Sequence, residues 1–341
     1  TKWATRVLYT EKIPWVLHRA FSIATNGQPG PIFIEIPVEV GRSKAEVPDY
    51  IPAIRSLRTA GDPLQIKKAV DLINQSKRPF IISGGGARNS SAHDELKVLA
   101  ELLGMPIMTT PSGRGIIEED HPLYFGQVGL YRNQLGIEIF PEADLLITVG
   151  SRNEEFQTGI WKLFPNNAKF IQIDIEPFEI SRNWIPDVPI LGDAKTVLTS
   201  IFENIKENSL PEWESRKENY SKIKQEYESQ VLAECKNCND IPIKSKRVVY
   251  EINQVFGRNT IMVHENGSQD LWTYYSPYYR VLDRNGNVAP GEQTCMGSGV
   301  TGAVGVKLAN PDKKVVCVTG DGAFQMYNQD VPTAVQYNAP V

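Results

Sequence analysis

Apolar positions in this chain gather into short β-branched runs, each closed by a glycine or an aspartate. "PFIIS" runs into Gly84-Gly85-Gly86, "ADLLITV" into Gly150, "KFIQI" into Asp174 and "KKVVCVT" into Gly320-Asp321-Gly322. Stretches of helical period such as "LQIKKAVDLINQS" stand between them, and a further helix is predicted over about 91–103 before the short strand "PIMTT". Helix and strand alternate from 63 to about 205, which predicts an open parallel α/β sheet. Asp62 and Pro63 mark its start, an N-cap residue followed by proline at the first helical position. Upstream, "KIPWVLHRAFSIATN" reads as a helix, "GQPGP" breaks it, and "IFIEIPVEV" reads as a buried parallel strand. From about 246 a third α/β unit begins, with "SKRVVYEINQVF" as helix, "TIMVHENG" as strand and loop, and "KKVVCVTGDG" as the next strand.

These patterns divide the chain into 1–45, a proline-rich linker 46–62, a central unit 63–205, a charged segment 206–245 and a last unit 246–341. The fold class expected is α/β, with three-layer α/β/α parallel-sheet domains. The charged segment "KENSLPEWESRKENYSKIKQEYESQ" reads as a solvated helix or hairpin joining two domains.

Composition narrows the function. A net charge of −4 over 341 residues gives no basic excess for phosphate backbones, so nucleic acid is not expected as a partner. No apolar run approaches the roughly 18 residues of a membrane span, and no signal peptide is visible. Four cysteines do not make a disulfide scaffold. Cys235 and Cys238 read as two reduced thiols on a polar helix end, since zinc would want two further ligands and a redox pair a preceding strand. The cytoplasm is the expected compartment.

Three glycine-rich turns carry candidate chemistry. Gly297-Ser-Gly299-Val-Thr-Gly302 has the dinucleotide spacing, but "NVAPGEQTCM" before it is no clean strand, so that context fails. A helix of small residues packed closely on its neighbours is the other reading. "ISGGGARNS" has a strand before and a helix after it, which suits either an anion at the helix start or a plain strand–helix turn. "VTGDGAF" places Asp321 at the end of a strand, where open sheets seat ligands. A carboxylate beside amides that face a phosphate would repel it unless a divalent cation lay between them, so the motif suits a metal-bridged phosphate or a tight turn.

With these motifs assembled, the chain resembles the thiamine-diphosphate enzymes of the acetolactate synthase type over nearly its whole length. "GQPGPIFIEIPVEV" is similar to the end of that family's pyrimidine-binding domain. "GGG", "ADLLITVGSR", "IQIDIEP" and "PILGDAK" are similar to its central domain in order. "HENGSQDLW", "TCMGSGVTGAVGVKLANP" and "VTGDGAFQM" are similar to the first half of its diphosphate-binding domain.

The resemblance implies thiamine diphosphate and Mg²⁺ as cofactors, with Asp321 as metal ligand. It places Gly267, Ser268, Gln269, Gly320, Gly322 and Ala323 at the diphosphate. Met296 is the position with a direct part in catalysis, an apolar wedge under the bent cofactor, and Thr294 offers backbone to the aminopyrimidine. The implied reaction is decarboxylation of a 2-oxo acid such as pyruvate and joining of the remaining unit to a second carbonyl, as in branched-chain amino acid biosynthesis. In the central domain Gly84, Gly85, Thr109, Gly150, Arg152, Asp174, Ile175 and Asp193 fit a pattern for FAD. "GLYRNQLG" (129–136) and "NEEFQTG" (153–159) depart from the flavin-contacting segments, which leaves ADP or nothing as alternatives. The family's catalytic glutamate and the Asn-Asn that completes its metal site fall outside the sequence, so the chain reads as a fragment, inactive alone, of a homodimer or homotetramer. Two rival functions are a decarboxylase or 2-hydroxyacyl-CoA lyase of the same family, and a nucleotide-binding protein without catalysis.

Overall fold

The computed structural model describes all residues except 54–56, 206–209 and 292–293, and the side chains of 210 and 211. Part of the proline-rich linker and the first residues of the charged segment therefore lie outside the described residues.

Strands β1 (Trp3–Arg6) and β2 (Ile32–Glu35) pair in parallel around the helix Ile13–Thr25. The sequence pattern missed β1. It also ran β2 on to residue 40, whereas Pro37, which has no N–H for a ladder, ends the strand and opens a short helix, Val38–Arg42. Nor is β2 buried on both faces, since its side chains alternate between half-buried and exposed.

The central unit contains β3 (Pro79–Ser83), β4 (Ile107–Thr109), β5 (Tyr124–Gln127), β6 (Leu145–Val149), β7 (Lys169–Asp174) and β8 (Val188–Leu191). All six are parallel, in the order β5-β4-β3-β6-β7-β8. The chain winds outward from β3 in one direction and from β6 in the other, so the strand order reverses between them. Every residue of β3, β4, β5 and β6 is buried, as a sheet covered on both faces requires. The helix Pro63–Gln75 starts as expected, with the Asp62 carboxylate accepting from Leu64 N–H at 2.8 Å.

The charged segment differs from its sequence reading. It folds as one helix, Leu210–Asn237, and one face of it is not solvated. Trp213 and Tyr220 join the core of the central sheet, with the Tyr220 ring edge-on to Phe80 and Phe125. Trp213 and Tyr220, with Ile223 and Tyr227 packed against the same core, fall three to seven apart and dock one face of a helix whose other faces are charged.

The last unit has β9 (Thr260–His264), β10 (Asn287–Val288) and β11 (Lys314–Val318), parallel in the order β10-β9-β11. The helix Ser298–Ala309 packs against β9 and β11. Among the described residues, no helix is long and apolar enough to cross a membrane.

Candidate functional site

Two sites lie at strand ends. The first is at the reversal of strand order in the central sheet, outside the carboxyl ends of β3, β6, β7 and β8. A cavity of about 590 Å³ there is lined by Gly84–Gly86, Gly150–Arg152, Asp174, Ile175, Gly192 and Asp193, together with Thr110 and Ser112 from beyond β4. Thr109 is not among the lining residues. Its hydroxyl is buried against the Tyr124 hydroxyl at 3.2 Å, and its neighbour Thr110 faces the cavity instead.

The glycine triplet has a packing duty. A Cβ on Gly84 would stand 2.1 Å from the Gly150 carbonyl oxygen, so only glycine lets the ends of β3 and β6 approach this closely. The Gly84 and Gly86 amides already donate to the Val149 and Gly150 carbonyls. Two of the three amides at this turn are therefore spent on backbone. The charged lining is acidic as well as basic. Burial holds the Asp174 carboxyl up at about 6, against the pull of the Glu176 amide and of Arg152. Asp193 caps the helix Ala194–Asn204 and pairs with Arg58 at 2.8 Å.

The second site is at the carboxyl ends of β9 and β11. Gly267, Ser268 and Gln269 leave β9, and Gly320, Asp321 and Gly322 leave β11. The Gln269 amide oxygen lies 3.3 Å from where a Cβ on Gly320 would stand, so the two loops meet. Met296 reaches the same place, its methyl 3.8 Å from the corresponding point on Gly322, and it is 40% exposed. Asp321 begins the helix Asp321–Tyr327, with its carboxylate exposed and one oxygen accepting from Gly322 N–H. Ala323 is buried on the inner face of that helix. Thr294 has φ of +44°, a region a β-branched residue rarely enters, so its backbone is held against its own preference. The structure thus brings the loops at 267–269 and 320–322 and the Met296 side chain together at neighbouring strand ends.

What orients the β9 loop was not predicted. His264, the last residue of β9, is fully buried, and its Nε2–H donates to Asn287 Oδ1 at 2.7 Å, because the Asn287 amide nitrogen is committed to the Pro111 carbonyl. Its Nδ1 meets the Thr273 hydroxyl at 2.8 Å. Burial and the nearby Arg114 cation drive its pKa well down, so it is neutral and acts as a strut. Arg114 of the central unit, bound to Glu119, donates to the Thr273 carbonyl at 2.7 Å. The loop 265–272 is therefore clamped from the central unit.

Glu265 was also missed. It is fully buried, and its two oxygens accept from the Gly297 and Gly299 amides, each at 2.9 Å. A carboxylate of the chain itself thus fills the place at the start of the helix Ser298–Ala309 where a dinucleotide phosphate would sit, which is the physical reason the G-x-G-x-x-G spacing there does not make a nucleotide site. The available signal was a lone glutamate between an apolar strand and a glycine loop. Among the described residues, no three His, Cys, Asp or Glu side chains cluster as a ready-made metal cage. Cys235 is buried and Cys238 half-buried at the end of the helix Leu210–Asn237.

Comparison with known proteins accords with this geometry. Residues 66–201 match the family description "Thiamine pyrophosphate enzyme, central domain", and residues 266–341 match "Thiamine pyrophosphate enzyme, C-terminal TPP binding domain". The chain is 38% identical to a "Probable acetolactate synthase large subunit" of Methanococcus aeolicus, over 97% of this chain and 58% of that protein. It is 35% identical to a protein of the same description from Methanocaldococcus jannaschii, over 100% of this chain and 58% of the other. It is also 31% identical to "Glyoxylate carboligase" of Escherichia coli O157:H7, over 100% of this chain and 57% of that protein. The chain thus spans under two thirds of the length of these relatives.

Proposed function

The chain belongs to the thiamine pyrophosphate enzyme family, and on that premise we propose that it forms the central and cofactor-binding part of a carboligase of the acetolactate synthase kind. One observation carries the reading: Gly267–Gln269, Met296 and Gly320–Gly322 converge at the carboxyl ends of adjacent parallel strands, beside an exposed carboxylate. The residues present fit thiamine diphosphate and Mg²⁺. Glycines at 267, 320 and 322 let a diphosphate approach main chain from both loops, and a single carboxylate suits a cation that takes its other ligands from phosphate and water.

In this reading Gly267, Ser268 and Gln269 hold the diphosphate from the β9 side, and Gly320, Gly322 and Ala323 hold it from the β11 side. Asp321 takes the Mg²⁺. Met296 supports the cofactor from below, and the strained backbone at Thr294 presents main-chain groups to its pyrimidine. When bound, the cofactor supplies the electron sink for loss of CO₂ from a 2-oxo acid. The chain's own share is to fix that group and keep water from its lower face with the Met296 side chain.

The central cavity is read as a nucleotide site, with FAD or ADP as candidates, because it lies at the reversal of strand order and is polar. Soaking the full-length protein with each and measuring retention after gel filtration separates them. The exposed Trp15, Phe21 and Phe33 of the first unit suit a homodimer or homotetramer in which that unit is covered by another subunit.

Full-length protein supplied with thiamine diphosphate, Mg²⁺ and pyruvate is expected to release CO₂ and form acetolactate. Release of CO₂ with only an aldehyde as product would make it a decarboxylase instead. The similarity to a glyoxylate carboligase makes glyoxylate the second substrate to try.

A further inference from the structure

We propose that Glu265 is a positioning residue: its buried carboxylate fixes the Met296 turn relative to the diphosphate loop, and so sets the shape of the cofactor cleft. The proposal rests on the reading that thiamine diphosphate occupies that cleft. Glu265 lies between the two halves of the site, one residue after β9 and two before Gly267. One oxygen accepts from Gly297 N–H at 2.9 Å and from Asn266 N–H at 2.8 Å, and the other accepts from Gly299 N–H at 2.9 Å. The side chain is 0% exposed, so these amides are what balance its charge. Its backbone is engaged too, with the carbonyl accepting from the Gln269 side chain at 3.1 Å.

The other end of the tie is a helix with no side-chain cap of its own. The helix Ser298–Ala309 starts from Gly297 at φ of +89°; the Ser298 amide reaches the Cys295 carbonyl, and the Gly297 and Gly299 amides are the ones that Glu265 satisfies. A negative charge there also matches the positive end of the helix. Met296 is the residue immediately before Gly297. Its height above Gly322 is therefore set by where the carboxylate pins the Gly297 and Gly299 amides. Charge-assisted bonds from one carboxylate to both segments hold that distance far better than neutral contacts would. A glutamine in the same place has one acceptor oxygen and one donor nitrogen. It can satisfy Gly297 and Asn266, or Gly299, but not all three.

The test uses the full-length protein, its Glu265→Gln variant and an Asn310→Ala control. Asn310 closes the same helix at its far end, donating to the Val306 carbonyl, and lies away from the cleft. Hydrogen exchange of the segment 296–300 is followed without cofactor, and thiamine diphosphate affinity in Mg²⁺ is measured by calorimetry. Glu265→Gln is expected to speed exchange at 296–300 and weaken cofactor affinity, each by roughly tenfold or more, while Asn310→Ala leaves the affinity as in the parent. Equal weakening by both variants would reduce Glu265 to a structural cap and overturn the proposal. So would unchanged exchange in Glu265→Gln, or faster exchange with unchanged affinity. A parent that binds no thiamine diphosphate would overturn the cofactor reading itself, and the positioning role with it. If Glu265→Gln does not fold, exchange in the parent decides: slow exchange at 297 and 299, slowed further by cofactor, supports the tie, and fast exchange there overturns it.

Discussion

Arg114 and Glu119 form a fully buried pair, with Nε–H donating to one carboxylate oxygen at 2.6 Å and an Nη2–H to the other at 2.7 Å. Burial alone would pull the guanidinium's pKa down, but the Glu119 charge outweighs it and keeps Arg114 charged. Both partners then bond across to the last unit, Arg114 to the Thr273 and Tyr279 carbonyls and Glu119 to the Val281 amide. Removing one partner of such a pair leaves an uncompensated buried charge. Glu119→Gln is expected to lower unfolding free energy by about 3–5 kcal/mol, read by urea denaturation. The double change Arg114→Met, Glu119→Leu should recover only part of that loss, because the Thr273 and Tyr279 carbonyls and the Val281 amide lose their partners as well.

Asp321 stands exposed where the two loops meet, and its carboxylate accepts from the Gly322 amide of its own turn. Asp321→Asn is expected to leave stability within about 0.5 kcal/mol of the parent and to abolish the Mg²⁺ dependence of thiamine diphosphate binding. Calorimetry of the full-length protein with and without Mg²⁺ checks this. An affinity that still rises with Mg²⁺ in the variant would remove Asp321 from the metal site.

Asp174 gives a pH signature. Its carboxyl is raised from 3.8 to about 6 by burial first, with Glu179 adding to it and the Glu176 and Ile175 amides and Arg152 opposing. The folded state therefore binds this proton more tightly than the unfolded state, and its contribution to stability falls as pH rises from about 4 to about 6. Asp174→Asn removes that fall. Above pH 6 the variant should be more stable than the parent by at most about 3 kcal/mol, and below pH 4 the difference should vanish. Denaturation curves at a series of pH values measure both limits.

Gly297 has no room for a side chain. A Cβ there would lie 1.8 Å from the Tyr327 ring, and φ is +89°. Gly297→Ala is expected to cost about 1–3 kcal/mol from overpacking and about 1–2 kcal/mol from the left-handed backbone. Adding Tyr327→Ala relieves the first cost and leaves the second, so comparing the single and double variants by urea denaturation separates them.

In the central sheet β3, β4, β6 and β7 were legible because burial makes each a nearly continuous apolar run, and a glycine or aspartate closes all but β4, whereas β8, with Pro189 inside it and Leu191 exposed, was not read as a strand. β1 and β5 were not, since "WATR" and "YFGQ" mix polar residues and lack that ending. The β11 turn announced itself as Gly-Asp-Gly, and its partner loop at 267–269 came only through resemblance. Glu265, His264 and Arg114 were invisible for a different reason. Their meaning lies in which amides and carbonyls they meet across 9 to 159 positions of sequence, and no local pattern records such pairs.

The region matched to the family's central domain ends at residue 201, yet the core beneath it continues through Trp213 and Tyr220 on the charged helix. A recombinant piece cut at that sequence boundary would carry a greasy scar where Phe80 and Phe125 lose their aromatic cover, and would be prone to aggregate. The severed half would bear a free amphipathic strip. Any split of the chain for separate production should fall after Asn237, with the charged helix kept on the central sheet.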